Sequence, residues 1–184
     1  MVNFNKEKPL RVMFQDEAGF GRINKPKRCW CPKGHRPAVP CQHVREYMYV
    51  YAAVSPHDGK MTSLVLPHAN AVCMGIFLKE VSSRFPNEHI LMVLDKAAWH
   101  TAGSLVVPDN IELFPLLPYS PELNPIELIW DEAREKGFKN EVFNMLSSVE
   151  DRLCDVLRSL ENDSHRVHSI TGWNWIVSIN LSAN

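Results

Sequence analysis

Apolar residues recur along this chain in two rhythms, and the switches between them mark the elements. Five short runs carry β character: Leu10–Phe14, Tyr47–Val54, Met61–Leu66, Ile90–Leu94 and Ile111–Leu117. Gly19 and Gly21 are expected to break the first, and Pro118 the last. Residues 22–40 are rich in Pro, Gly and basic side chains, the composition of a hairpin or loop excursion. Pro56-His57-Asp58-Gly59 is a turn that joins the second and third runs into an antiparallel hairpin. Ile90–Leu94 lacks polar alternation, as expected of a strand buried on both faces. Residues 97–107 are expected to form a short helix and turn.

The helical rhythm enters at Ala71–Phe85, where Val72, Ile76, Phe77 and Val81 share spacing, Asn70 can cap and Pro86 stops the helix. Asn124-Pro125-Ile126-Glu127 reads as a second helix start, with a capping side chain, Pro at the first helical position and Glu at the third. Ile126, Ile129, Trp130 and Ala133 then form a buried stripe, while Glu127, Asp131 and Arg134 share another face. Met145–Leu160 is a further amphipathic helix, and the tail from Ser164 carries Trp173, Trp175 and Ile176, which need a packing surface. This order of elements predicts an α/β fold. Its mixed sheet is antiparallel in the first strands, parallel in the later ones, and flanked by helices.

At 184 residues, with 45% hydrophobic and 22% charged side chains, the chain suits one globular domain. No apolar stretch approaches the roughly 20 residues that cross a bilayer, and MVNFNKEKPLR lacks a signal-peptide apolar region, so a cytoplasmic protein is expected. The odd set Cys29, Cys31, Cys41, Cys73 and Cys154 fits a reducing compartment. Cys29, Cys31, His35, Cys41 and His43 match neither common zinc spacing and are taken as part of a hairpin and its flanks.

A net charge of −1 does not favour an unaided DNA binder. The charge is uneven, however. Lys25, Lys27, Arg28, Lys33 and Arg36 crowd one early segment around Trp30, and are candidate DNA-backbone contacts if that segment lies beside the reactive site.

Candidate chemistry rests on three acids. Asp16 and Asp95 end apolar β-type runs, and Glu127 lies in the opening turn of a helix, so all can meet where strand ends open into a crevice. Strand alternation sets Asp16 against Glu17 and turns Lys96 away from Asp95. Gathered carboxylates repel unless cations lie between them, and hard oxygen donors point to two Mg²⁺ or Mn²⁺ ions. In that arrangement Asp16 bridges both ions, Asp95 holds one and Glu127 the other, while His100 contacts a phosphate or orients the nucleophile.

The segments FQDEAGFGR, WCPKGHRP, LDKAAWH and, most specifically, LPYSPELNPIELIWDE resemble the catalytic domain of bacterial insertion-sequence transposases of the mariner-like DDE superfamily. The resemblance runs from about Leu10 to about Phe143, leaving a helical C-terminal extension of about 144–184 within a single domain, and departs at Lys96, where a small or amide residue is expected. It implies a ribonuclease-H-like fold and a Mg²⁺-dependent nuclease and strand transferase acting on transposon ends and target DNA. It places the catalytic triad on the same Asp16, Asp95 and Glu127. It implies a homo-oligomer on nucleoid DNA. Because such relatives carry N-terminal helix-turn-helix modules and this sequence begins near the first catalytic strand, a separate helix-turn-helix polypeptide is an expected partner. Two other functions fit the same residues: a non-catalytic DNA-binding or regulatory remnant, and a ribonuclease-H-like nuclease with another substrate.

Overall fold

The computed structural model of the chain describes residues 8–23, 26–97, 103, 105–117 and 120–178. Five strands, β1 (Leu10–Ile23), β2 (His43–Ser55), β3 (Lys60–Leu66), β4 (His89–Leu94) and β5 (Ile111–Pro115), form one sheet in the order β3-β2-β1-β4-β5. β2 pairs antiparallel with β1 and β3, and β4 pairs parallel with β1 and β5. The mixed sheet expected from the element order is thus present. Helix α1 (Ala71–Arg84) follows β3, and α2 (Ile126–Gly137), α3 (Leu146–Glu161), α4 (Ser164–Thr171) and α5 (Asn174–Val177) follow β5. Residues expected to form a helix and turn at 97–107 fall partly outside the described set, as does Pro118.

Strand alternation divides the core in two. Met13, Tyr51, Ala53, Met92 and Leu94 pack on Met74, Phe77 and Val81 of α1. Phe14, Ala18, Phe20, Val50 and Val93 face the other way, onto Ile129 and Trp130 of α2, Leu153 of α3 and Val167 of α4. The tail that sequence left without a fold is α4 and α5, and it supplies Val167, Thr171 and Ile176 to the interior. Among the described residues no helix is long and apolar enough to cross a membrane.

β1 is longer than expected. The glycines do not end it: it pairs with β2 past both Gly19 and Gly21, and the register shifts only between Gly21 and Ile23. A Cβ on Gly21 would lie 2.2 Å from the Glu46 carbonyl oxygen and 2.5 Å from the Tyr47 ring, so glycine is what lets the strands approach. Asp16 therefore lies inside a long strand, not at its end.

The start of α2 also differs by a residue from expectation. Ile126 is the first helical residue and Pro125 takes the cap position, so Glu127 is second, not third. Asn124 accepts from the Ile126 N–H at 3.4 Å and donates its Nδ2–H to the Gln15 carbonyl at 3.0 Å, which ties the helix to β1.

Gly59, in the turn between β2 and β3, has φ of +67°, and a Cβ there would meet the Ser164 carbonyl oxygen at 1.9 Å. Gly59→Ala is expected to destabilise the protein by more than about 1 kcal/mol, measured by urea unfolding. Gly19→Ala, whose Cβ would make an ordinary 3.8 Å contact with Tyr49, should stay within about 0.5 kcal/mol of the parent.

Candidate active site

The register of the central strands brings two acids level. Phe14 of β1 stands beside Val93 of β4, and both face α2. Continuing each strand by two residues reaches Asp16 and Asp95, on the same side by alternation. α2 crosses this side and carries Glu127 in its first turn. The result is a cleft of about 540 Å³ whose walls include Asp16, Asp95, Glu127, Lys96, Ser120 and Asn124. Glu17 is not among its walls.

Asp16 is held rather than loose. Trp130, 1% exposed, donates its indole N–H to Asp16 Oδ2 at 2.9 Å. Burial pushes the Asp16 carboxyl up to about 7, with Glu127 repulsion adding to it and the Trp130 hydrogen bond opposing it. Partial burial also raises the Glu127 carboxyl above its ordinary value. Arg134 opposes that rise, while Asp131 and Asp95 reinforce it. The three acids therefore sense one another, directly or through Glu127, in a partly desolvated cleft.

Asp95 stands at the exposed end of β4, and its Oδ1 accepts from the Ala97 N–H at 2.9 Å. Strand alternation would turn Lys96 away from the acids, but β4 ends at Leu94, before it. Lys96 lines the cleft with the acids. Sequence reasoning also placed Trp130 in the core stripe alone. The signal available was the indole N–H, since a buried tryptophan needs an acceptor.

Several predicted residues lie elsewhere. His100 and Lys25 lie outside the described residues. Lys27, Arg28, Lys33 and Arg36 are exposed in the irregular segment after β1, and none lines the carboxylate cleft. Lys27 instead meets the far end of α2, 3.8 Å from Glu135, and exchanges backbone hydrogen bonds with the Asn140 side chain at 2.8 and 3.2 Å. Cys31 Sγ–H donates to the His35 carbonyl at 3.2 Å, and Cys41 Sγ lies 3.4 Å from His43 Nε2.

Among the described residues no group of three His, Cys, Asp or Glu is placed to hold one metal ion. The donor set still fits a pair of hard divalent cations. The acids line one cleft and supply only oxygen, and Glu127 repels both Asp16 and Asp95 there.

Residues 11–150 match the family model of the DDE superfamily endonucleases. An uncharacterised Sinorhizobium fredii (strain NBRC 101917 / NGR234) protein, y4pE/y4sA, is 34% identical over 130 residues, covering 70% of this chain and 96% of that protein. Among solved structures, the Mos1 mariner paired-end complex with Mn superposes at a TM-score of 0.61 and 18% identity, over 87% of this chain and 53% of that one. The Mos1 paired-end complex with the left transposon end gives 0.57 and 17%, over 88% and 55%. The chain thus spans about half the length of the Mos1 chains it matches, and the likeness shows a common ribonuclease-H-like fold.

The state of Asp16 has a measurable consequence. Its ordinary value is 3.8 and its value in the fold is about 7. The folded protein thus keeps a proton that the unfolded chain releases. The stability this provides is fully present below the ordinary value and is lost as pH rises through about 7. In metal-free buffer the melting temperature of the parent should fall relative to Asp16→Asn between about pH 4 and pH 8. A constant difference across that range would refute the shift.

Proposed function

We propose that this chain, which belongs to the DDE superfamily of endonucleases, is the catalytic part of a DNA transposase that cuts phosphodiesters at element ends and joins them to target DNA. One observation carries the proposal: Asp16, Asp95 and Glu127, from a strand interior, a strand end and a helix start, line one cleft. Asp16 has a packing role as the acceptor of the Trp130 N–H, but that role does not call for two further acids in the same cleft. The mutual repulsion of the acids destabilises the fold unless the cleft receives positive charge.

Asp16 would contact both cations, Asp95 one and Glu127 the other. When bound, a pair of Mg²⁺ or Mn²⁺ ions supplies activation of the attacking oxygen and charge stabilisation of the leaving one. The protein's part is positioning. The Trp130 N–H fixes one oxygen of Asp16, and Asn124 anchors the start of the helix carrying Glu127. Lys96, on the cleft wall, supplies a cation for a phosphate oxygen. The attacking group is water for cleavage, or a DNA 3′-hydroxyl for joining.

DNA is the substrate, a homo-oligomer on DNA is the acting form, and a helix-turn-helix partner polypeptide supplies recognition of the ends. This places the protein in the bacterial cytoplasm, on the nucleoid when acting. Residues 1–184 act as one catalytic unit, with the helices after Phe143 completing its core.

Supercoiled plasmid DNA should be nicked with Mn²⁺ or Mg²⁺ and not with EDTA, and Asp95→Asn should reduce nicking at least about 100-fold. A variant that nicks as fast as the parent would remove Asp95 from the site. Millimolar Mn²⁺ should also raise the melting temperature of the parent, and less so that of Asp95→Asn.

A further inference from the structure

A second cleft, of about 520 Å³, opens beyond the carboxylates along the same two elements. Phe20 forms its floor and lies four residues beyond Asp16 on the same face of β1, roughly 13 Å along a strand. Arg134 stands at its edge, seven residues beyond Glu127, roughly 10 Å along α2. Both elements lead from the acidic cleft into this one, over a span that about three stacked nucleotides cover.

Its chemistry is the opposite of the first cleft's. Phe20 packs on Phe138 with ring centroids 5.0 Å apart, and Phe138 on Phe143 at 5.4 Å, giving an aromatic interior. Tyr47, 43% exposed, presents a further ring beside Gly21. Lys27, Arg134 and Lys139 bring three cations to the rim, against Glu141. The Arg134 guanidinium lies 5.3 Å from the Phe20 centroid, held over the ring. Lys27 and Lys139 both approach Glu135, and Lys27 is pinned through its backbone to Asn140.

Rings inside and cations outside suit a base with its phosphate. A paired base cannot enter such a cleft, because its edges and faces are taken within the duplex; an unpaired one can. An acidic peptide would satisfy the cations and leave the rings unused. We propose that this cleft holds an unpaired nucleotide of the DNA strand whose phosphodiester lies at Asp16, Asp95 and Glu127. Its base stacks on Tyr47 and Phe138, and its phosphate lies on Lys139 and Arg134. This rests on the proposal that the acidic cleft is the site of DNA cleavage, and adds that the strand enters it unpaired on one side.

The test uses the full chain in EDTA, so that cleavage does not intervene. Binding of fluorescent oligothymidylate of twelve nucleotides and of a blunt duplex of equal length is measured by anisotropy across a salt series. A single 2-aminopurine in the oligonucleotide reports stacking. The parent should quench 2-aminopurine and prefer the single strand. Tyr47→Leu should bind the single strand about tenfold more weakly and lose quenching, while Tyr47→Phe keeps both. Lys139→Gln should lower the salt slope for the single strand by about 0.7.

Single-strand binding and quenching unchanged in Tyr47→Leu would overturn the proposal, as would an equal loss for the blunt duplex. So would displacement of the oligonucleotide by polyglutamate at matched charge. Variants that fail to melt cooperatively are replaced by Phe138→Leu, which removes a different ring of the same interior and carries the same expectation. Metal-dependent nicking by the parent alongside unchanged stacking overturns the nucleotide cleft alone. Stacking as expected without metal-dependent nicking overturns the catalytic proposal alone.

Discussion

Between Leu10 and Phe14, β1 runs parallel to β4, and that pairing decides whether the acidic residues can meet. With Phe14 level with Val93, two further steps on each strand bring Asp16 and Asp95 to the same height and the same face. A slip of one residue would send one of them to the α1 side of the sheet. The slip is prevented by apolar side chains on both faces, Met13 and Met92 toward α1 and Phe14 and Val93 toward α2. It is also prevented at the opposite end of the sheet. There Arg11 grips Glu88 through Nε at 2.7 Å and Asp58 through Nη1 at 2.8 Å, tying β1 to the residues before β4 and to the β2–β3 turn.

The third acid depends on a different contact. Trp130 is almost wholly buried, and its indole N–H needs an acceptor inside the fold. Asp16 supplies it, and the same ring packs edge-on to Phe20 at 6.3 Å. One side chain thus seats α2 on the core and withdraws Asp16 from water. The elevated carboxyl of Asp16 comes from its burial in this packing, and the Trp130 hydrogen bond works against that rise. Asn124, bonded to the Gln15 carbonyl, fixes the same helix to the neighbouring residue of β1. α2 is therefore held through Asn124 on the backbone of β1 and through Trp130 on the Asp16 side chain.

The elements that sequence made legible are those with strong periodicity. β2, β3, β4 and α1 end within a few residues of their expected limits, and their order suffices for the mixed topology. Less legible was whatever depends on a partner distant in sequence. Gly21 reads as a breaker locally, yet in the sheet it is the residue that admits Glu46 and Tyr47 of β2. Lys96 obeys strand alternation only if the strand continues, and β4 ends at Leu94, before it. Trp130 has the spacing of a core residue because it is one; its polar edge acquires a role only when Asp16 lies opposite. The acids themselves were legible through local setting, at two strand-like runs and a helix start, whereas their shared cleft required the register.

α2 links the two clefts through its own charge order. Glu127 lies in its first turn, and Arg134 and Lys136 in its last. The positive end of the helix dipole favours the acid and the negative end favours the bases, so this order stabilises the helix irrespective of any ligand. A nucleic acid strand meets the same order differently. Its phosphates would be repelled by the bare acidic end and drawn to the other, where Lys27, Arg134 and Lys139 outnumber Glu135 and Glu141. An overall charge of −1 therefore conceals a gradient. Under the proposed function, this asymmetry would let a strand seat first at the basic aromatic cleft, and the acidic cleft would accept a phosphate once cations offset its carboxylates. That asymmetry comes from one helix, IELIWDEAREKG, whose first turn carries Glu127 as its only charge while Arg134 and Lys136 flank Glu135 in its last.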